Sequence, residues 1–138
     1  MSAKQENFLH ETFLTIYGNP ISKKNSIRLV YAKGRMIPIP SKQYVEYERE
    51  ALKQLSFQYK DEEISFPVNV SCAYFMQTKR KCDLVNLIEG TLDVLVKANV
   101  IADDNHTIVA KHDGCLVTYD KENPRVEITI TELLPFEE

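Results

Sequence analysis

The stretch Lys79-Arg-Lys-Cys-Asp-Leu-Val-Asn-Leu-Ile-Glu-Gly-Thr-Leu-Asp93, followed ten residues later by Asp103-Asp104, decides how this 138-residue chain is interpreted. Within it, apolar and polar side chains separate at helical spacing onto two arcs. The apolar arc contains Leu84, Ile88, Thr91, Leu92 and Leu95, and the polar arc, which includes Asp83, contains Asn86, Gly90, Asp93 and Lys97. The pattern predicts an amphipathic helix over residues 84–98.

Asp83 lies between this helix and an upstream segment, residues 68–76, whose alternating pattern predicts a half-buried strand. A carboxylate at a strand-to-helix junction can cap the first free backbone N–H groups of the helix. It can also ligate a metal, if the short return through residues 100–102 brings Asp103 and Asp104 back beside Asp83. Carboxylates converging under a basic run suit Mg²⁺ facing phosphate. Both roles remain open for Asp83, and Asp103 is either a ligand or a solvated turn residue.

Basic residues are concentrated in two clusters although the net charge is −3. No acidic residue occurs between Thr12 and Val45, and that window carries Lys23, Lys24, Arg28, Lys33, Arg35 and Lys42. The second cluster consists of Lys79, Arg80 and Lys81. Two such clusters could follow two phosphate strands with the acidic site between them. The alternative for the first cluster is a solvated loop, since Gly34 and the prolines at 38 and 40 favour a mobile hairpin or arm over residues 30–40.

The remaining pattern predicts an α+β fold. We expect a first strand over residues 8–17, a helix over residues 41–57, a hairpin of residues 107–112 and 116–119 around Asp113-Gly114, and a closing strand over residues 125–131. Ser41 is a possible N-cap. In the helix, the apolar side is expected to comprise Tyr44, Val45, Tyr47, Ala51, Leu52 and Leu55, and the side facing water Glu46, Glu48 and Glu50.

Length and composition indicate one domain over residues 1–138, with 43% hydrophobic residues. No apolar run approaches the roughly 18 residues of a membrane helix, and residues 1–6 lack a hydrophobic signal stretch, so we expect a cytoplasmic protein that does not enter a membrane.

Three cysteines without paired metal spacing are expected to be reduced. His10, His106 and His112 are dispersed, which disfavours a zinc site.

The sequence resembles the RusA family of Holliday junction resolvases, found largely in phages and prophages. The resemblance covers most of the chain and is strongest over residues 81–104. It rests on Asp83, Asn86, Leu87, Asp93, Asp103-Asp104, the turn Gly18-Asn-Pro20, the basic residues Lys23-Lys24 and Arg28, Tyr44, and the closing strand.

This resemblance implies a single RusA-like domain with a small mixed β-sheet packed with two main helices. It also implies a homodimer that binds four-way DNA junctions and nicks two opposing strands using Mg²⁺, with Mn²⁺ a possible substitute. Family members require three aspartates and a lysine. By position, the first aspartate is Asp83 and the third is Asp104, whereas the second falls on Val85 and the lysine on Glu89.

Two functions follow from this comparison. The first is an active junction-cleaving endonuclease in which Asp83, Asp104, and Asp103 or Glu89 form the catalytic site, with Asp103 preferred as the additional metal ligand. Glu89 lies about 120° from Asp83 on the helical wheel and nearly two turns along the axis, so we do not expect both to chelate one ion. The alternative is a catalytically impaired RusA-like module that binds branched DNA or a phage or host protein, since Val85 cannot bind a metal.

Overall fold

The computed structural model describes residues 10–23 and 27–134. These residues contain two helices and seven strands. In chain order the elements are β1 (Glu11–Tyr17), β2 (Ile27–Ala32), β3 (Arg35–Pro40), α1 (Lys42–Gln58), β4 (Val68–Met76), α2 (Leu84–Lys97), β5 (Val109–Lys111), β6 (Leu116–Tyr119) and β7 (Arg125–Glu132). The predicted α+β class is confirmed.

Strand β4 is the centre of the main sheet. It pairs antiparallel with β7, which pairs antiparallel with β1, and its other edge carries β5 and β6 in parallel, so the sheet is mixed. Its side chains alternate between fully buried and partly exposed, and the buried ones are Val68, Val70, Cys72 and Tyr74. This alternation confirms the strand predicted over residues 68–76 and gives the sheet one apolar face.

The two helices cover that face. Each begins at its expected cap, because Ser41 Oγ accepts a hydrogen bond from Tyr44 N (3.0 Å) and Asp83 Oδ1 accepts one from Val85 N (3.0 Å). From the helices the core receives Ala51, Leu55, Leu87, Ile88, Val94 and Leu95. Neither helix in the described ranges is long and apolar enough to cross a membrane.

Three details of the predicted helix and first strand differ from the structure. Val45, expected on the apolar side of α1, is 49% exposed. Glu48, expected to face water, accepts a hydrogen bond from Lys97 Nζ (2.8 Å), because the end of α2 packs against α1 at this point. The first strand begins at Glu11 rather than at residue 8, and residues 8 and 9 lie outside the described ranges.

The predicted hairpin around Asp113-Gly114 is wrong. β5 and β6 do not pair with each other, since both lie parallel along one edge of β4, with Val109 opposite Val68 and Leu116 opposite Ala73. The Asn69 side chain holds the turn at Asp113, and the chain continues along the edge of β4 instead of reversing. Its Nδ2 donates to Asp113 O (3.2 Å) and its Oδ1 accepts from Asp113 N (2.7 Å). Between the end of β5 and the start of β6, this side-chain amide therefore makes the hydrogen bonds that a neighbouring strand would otherwise make.

The hairpin predicted near residues 30–40 is confirmed and begins earlier, at Ile27. β2 and β3 form a separate two-stranded antiparallel sheet. The turn residues Lys33 and Gly34 have φ angles of 50° and 79°, which is the left-handed backbone that a two-residue hairpin turn requires.

Replacing Gly114 by Ala should lower the free energy of unfolding by about 1–3 kcal/mol. Gly114 has φ 91°, and a Cβ there would lie 2.9 Å from Ser71 Oγ. Urea denaturation measures the loss. Gly34→Ala is the matched control, because Gly34 has φ 79° with nothing within 4 Å of an added Cβ. Adding Ser71→Ala to Gly114→Ala should recover part of the loss, and full stability of Gly114→Ala alone would contradict this account of the turn.

Candidate functional site

An open pocket of about 570 Å³ lies between α2 and the root of the β2–β3 hairpin. Its polar lining comprises Lys23, Asn86, Glu89, Asp93 and Asp104, and its apolar lining comprises Ile27, Pro38, Ile39, Pro40 and Gly90. The pocket therefore combines carboxylates from two parts of the chain with a cation from a third.

One face of α2 supplies most of the polar lining. Asn86, Gly90 and Asp93 follow one another at spacings of four and three residues, so they lie in a row along the helix. Asp83 precedes Asn86 by one turn on the same face but does not itself line the pocket. Its capping hydrogen bond uses one carboxylate oxygen, Oδ1, so the capping role that the sequence left open is present. A metal-binding role for Asp83 stays a prediction.

The predicted return after α2 places Asp104 in the pocket. Asn99 ends the helix with φ 60°, and Val100 N then donates to Leu95 O (3.0 Å). Ile64 fixes the following residues, because its N donates to Val100 O and its O accepts from Ala102 N, each at 2.9 Å. Asp104 is thus brought to the pocket that Glu89 lines, by a segment with a buried anchor.

Asp103 shapes the loop that carries Asp104. Its Oδ1 accepts from Asp104 N (2.8 Å) and its Oδ2 accepts from Asn105 Nδ2 (2.7 Å). These bonds, chiefly the one from the Asp104 backbone, lower the pKa of the Asp103 carboxyl. Asn105 Oδ1 in turn accepts from Thr107 N (2.9 Å). Asp103 therefore has the turn-forming role that the sequence left open, and its role as a metal ligand stays a prediction.

Asp93 is neutralised by two lysines. Its Oδ2 lies 3.4 Å from Lys97 Nζ and 3.7 Å from Lys23 Nζ. The Oδ2 atom is buried and both contacts are longer than an ordinary charge-assisted hydrogen bond, so charge attraction is the main force between Asp93 and the two lysines. Lys97 Nζ also donates to Glu48 Oε2, which is the main reason why the pKa of Lys97 is raised. This cluster ties Lys23 to α2 at the side of the pocket.

A second buried polar atom lies behind the same helix turn. Tyr44 is only 1% exposed, and within the described ranges its hydroxyl has no hydrogen-bond partner. Burial raises its pKa, and the charges of Glu48 and Asp93 add to the increase. The hydroxyl lies 4.0 Å from the point where a Cβ would be on Gly90, so the ring packs beside this turn of α2. Tyr44 therefore stays a neutral phenol beside the ion pairs.

Glu89 and Asp104 are the two carboxylates of the pocket that form no ion pair within residues 10–23 and 27–134. Two negative charges sharing one pocket repel each other, and a bound cation removes that repulsion. Glu89 and Asp104 are thus brought to the same pocket. The sequence alone could not place these two residues together, since they are on different elements.

The donor set suits Mg²⁺ only in part. Carboxylate and amide oxygens are the ligands that Mg²⁺ prefers, and Asn86, Glu89 and Asp104 offer them. No group of three or more His, Cys, Asp or Glu side chains in the described part of the chain is arranged to hold a metal ion. Mg²⁺ commonly uses one or two carboxylates and completes its shell with water and substrate phosphate. The residues present fit an ion bound together with a phosphate.

The predicted DNA-binding residues occupy two places around the pocket. Lys23 lines the pocket itself, Arg28 lies at the hairpin root with its Nε donating to Pro40 O (3.3 Å), and Arg35 is exposed next to the hairpin turn. The run Lys79, Arg80 and Lys81 is exposed immediately before α2. Lys24 lies outside the described residues.

Sequence reasoning missed part of the site. Asn86 and Asp93 were noted for their positions in the motif but not as site residues, and the hairpin root was not assigned to the site at all. The row of Asn86, Gly90 and Asp93 along one helix face was a usable signal for the first two. Val85, where the family has an aspartate, is 68% exposed in the first turn of α2 and does not line the pocket.

Comparison with known proteins identifies a family whose model spans the elements that form the pocket. The family model described as endodeoxyribonuclease RusA matches residues 18–131, a range that contains the hairpin, both helices and the Asp104 loop. The crossover junction endodeoxyribonuclease RusA of Aquifex aeolicus (strain VF5) is 30% identical over 86 residues, which make up 62% of this chain and 66% of that protein. The match thus spans just under two thirds of that relative. Because the family model covers most of its length, this chain belongs to the endodeoxyribonuclease RusA family.

Proposed function

We propose that this protein is a Mg²⁺-dependent endodeoxyribonuclease that resolves four-way DNA junctions, with Mn²⁺ as a possible substitute. Family membership supports the class of activity. The observation that supports a working site is the presence of Glu89 and Asp104 in one pocket without a partner cation in the described part of the chain. These charges repel a DNA phosphate, and a cation bound between them would remove that repulsion.

Asp104 and Glu89 are the residues we assign to the metal, and Asp83 lies one turn of α2 beyond the pocket lining. Bound Mg²⁺ would polarise the scissile phosphate and lower the pKa of an attacking water. Lys23 lies in the same pocket and its ammonium group attracts the phosphate, while Asp93 limits where that group can move. Asp103 acts through Asp104, because its hydrogen bonds orient the loop.

The second candidate is the catalytically impaired module that binds branched DNA or a phage or host protein. Two observations favour it. Val85 offers no ligand where the family has an aspartate, and the described residues contain no ready-made group of three metal-binding side chains. The nuclease is preferred because Glu89 supplies a carboxylate to the pocket in compensation. For either activity we place the protein in the cytoplasm, where it would meet cellular or phage DNA.

Amide substitutions of the two pocket carboxylates test the proposal. Asp104→Asn and Glu89→Gln should each slow the nicking of a four-way junction by about 100-fold or more, the scale of losing one electrostatic contact in the transition state. Junction affinity should stay the same or rise, because each change removes a negative charge facing phosphate. Gel-based nicking rates and a separate binding titration at several Mg²⁺ concentrations measure the two effects.

Asp61→Asn is the matched control, since Asp61 is an exposed carboxylate outside the pocket. It should change neither rate nor affinity. If Glu89→Gln speeds nicking, Glu89 only repels the substrate and is not a ligand. If the parent protein binds junctions and shows no nicking with Mg²⁺ or Mn²⁺, the non-cleaving module is the correct function.

The basic run before α2 should hold DNA through its charge. Replacing Lys79, Arg80 and Lys81 together by Ala should weaken junction binding and reduce the slope of log affinity against log salt by about 2.7, from about 0.9 per lost phosphate contact. The charge-matched control replaces the exposed Lys53, Lys60 and Lys121 and should leave the slope unchanged. Equal slopes for the two triple variants would remove the run from the DNA interface.

We further propose a homodimer. A four-way junction presents two symmetry-related strands, and a protein with two-fold symmetry can address both with identical sites. Light scattering at micromolar concentration should give twice the mass of one chain. A stable monomer, both free and bound to a junction, would argue against the paired nicking of opposing strands.

A further inference from the structure

The β2–β3 hairpin carries an apolar face that the described chain leaves uncovered. Three cross-strand pairs form this face: Ile27 with Pro40, Leu29 with Pro38, and Tyr31 with Met36. The side chains of Ile27, Leu29, Tyr31 and Met36 are between 54% and 72% exposed. A row of large apolar groups in water on a protruding ribbon is the kind of surface that marks a contact with another molecule.

The charges on the hairpin itself are of one sign. No acidic residue occurs from Thr12 to Val45, and Lys33 and Arg35 flank the exposed Tyr31–Met36 pair at the tip. Arg28 and Arg35 both alternate onto the opposite face of the ribbon. Toward its tip the apolar surface is bordered by cations, and such a surface complements DNA, whose charged backbone surrounds flat apolar bases.

The two prolines of β3 make the outer edge of that strand a poor site for strand pairing. Because Lys33 and Gly34 form a two-residue turn, Pro38 and Pro40 stand at the non-hydrogen-bonded positions of the ladder, where a backbone N–H would point away from β2. Proline has no N–H, so the outer edge of β3 lacks two donors that an added strand would need. Strand addition from a second copy to the edge of β3 is therefore disfavoured.

The hairpin begins at the candidate site and extends away from it to its tip. Its root, Ile27 and Pro40, lines the pocket that holds Glu89 and Asp104. Tyr31 and Met36 lie four residues further along each strand, which is about 13 Å at the rise of a β-strand. That distance equals about four base-pair rises of 3.4 Å. A phosphate in the pocket and a base at the tip can thus belong to one DNA molecule.

We propose that the apolar face of the hairpin inserts at the branch point of four-way DNA, with Tyr31 and Met36 contacting unstacked bases while Lys33 and Arg35 bind the adjoining phosphates. The inference rests on the proposed function and adds the means by which a branch is distinguished from a continuous duplex. In a duplex every base is stacked on both sides, so insertion costs stacking energy. At a branch point the stacking is already interrupted, and an aromatic or thioether side chain gains contact there.

A four-way junction carrying 2-aminopurine at the branch point tests this inference, with EDTA present so that binding is followed without cleavage. The parent protein should raise the fluorescence of the junction but not that of a linear duplex containing the same probe. Tyr31→Ala combined with Met36→Ala should reduce the fluorescence rise about fivefold or more at saturating protein, since stacking on the ring is lost. Its affinity for linear duplex should be unchanged.

Two control variants accompany the test. Phe57→Ala removes an aromatic ring that is 71% exposed but lies on α1, and it should keep the full signal. Tyr31→Phe should also keep the signal, because the ring and not the hydroxyl makes the contact. Circular dichroism melting of the double variant should match the parent, since both replaced side chains are exposed.

An undiminished fluorescence rise in the Tyr31 and Met36 double variant would overturn the inference. So would a halved mass of that variant in light scattering without DNA, because the face would then be a contact between two copies. A parent protein that nicks junctions without raising fluorescence removes the inference and leaves the proposed function intact. A parent protein with no preference for junctions over duplex removes both.

Discussion

The buried hydrogen bond between the Tyr74 hydroxyl and Thr91 Oγ1 (2.7 Å) fixes the geometry on which the site depends. Thr91 Oγ1 also donates to Leu87 O (3.0 Å), so in the contact with Tyr74 it must accept. Breaking this pair would leave a buried polar group unsatisfied, at a cost of about 1–3 kcal/mol. Because Thr91 lies on the buried side of α2, the bond to β4 sets the rotation of the helix about its axis. The row of Asn86, Gly90 and Asp93 is thereby directed toward the pocket.

Charge pairing separates the carboxylates near the pocket into two groups. Glu48 and Asp93 share the charge of Lys97, and Asp93 also attracts Lys23. These contacts are partly exposed, so they contribute little to stability and serve mainly to position the side chains. Glu89 and Asp104 remain without a partner within the described ranges. The arrangement leaves the negative charge of the pocket where a cation and a phosphate could meet, which is the reason for preferring a nuclease to a binding module.

Periodicity predicted the elements whose form is decided locally. β4 and α2 follow from alternation and helical spacing, and the end of α2 and its return follow from Asn99 and buried Val100 and Ile101. The failures involve distant partners. The Asp113-Gly114 turn does not reverse the chain, because Asn69, 44 residues away, binds the Asp113 backbone.

The candidate site could likewise be predicted only where it depends on residues that are close together in sequence. Capping by Asp83 and the turn at Asp103 depend on neighbours in sequence, so both were available as alternatives from the chain alone. Which carboxylates share a pocket depends on the hairpin root. Its residues Ile27 and Pro40 carry no chemical signal that would connect them to Glu89.

The family resemblance implies an aspartate at position 85 and a lysine at position 89, where this chain has Val85 and Glu89. A carboxylate moved from position 85 to position 89 travels four residues, which is about one turn and about 6 Å along the helix axis, away from the exposed first turn of α2. There it meets the hairpin root and Asp104. Gly90, the next residue, lies beside the backbone of Lys23, since an added Cβ would lie 3.8 Å from Lys23 N. On the proposed function, a phosphate bound in this pocket would lie beside the root of the hairpin, so the pocket carboxylates and the apolar face of the hairpin would meet the same DNA molecule.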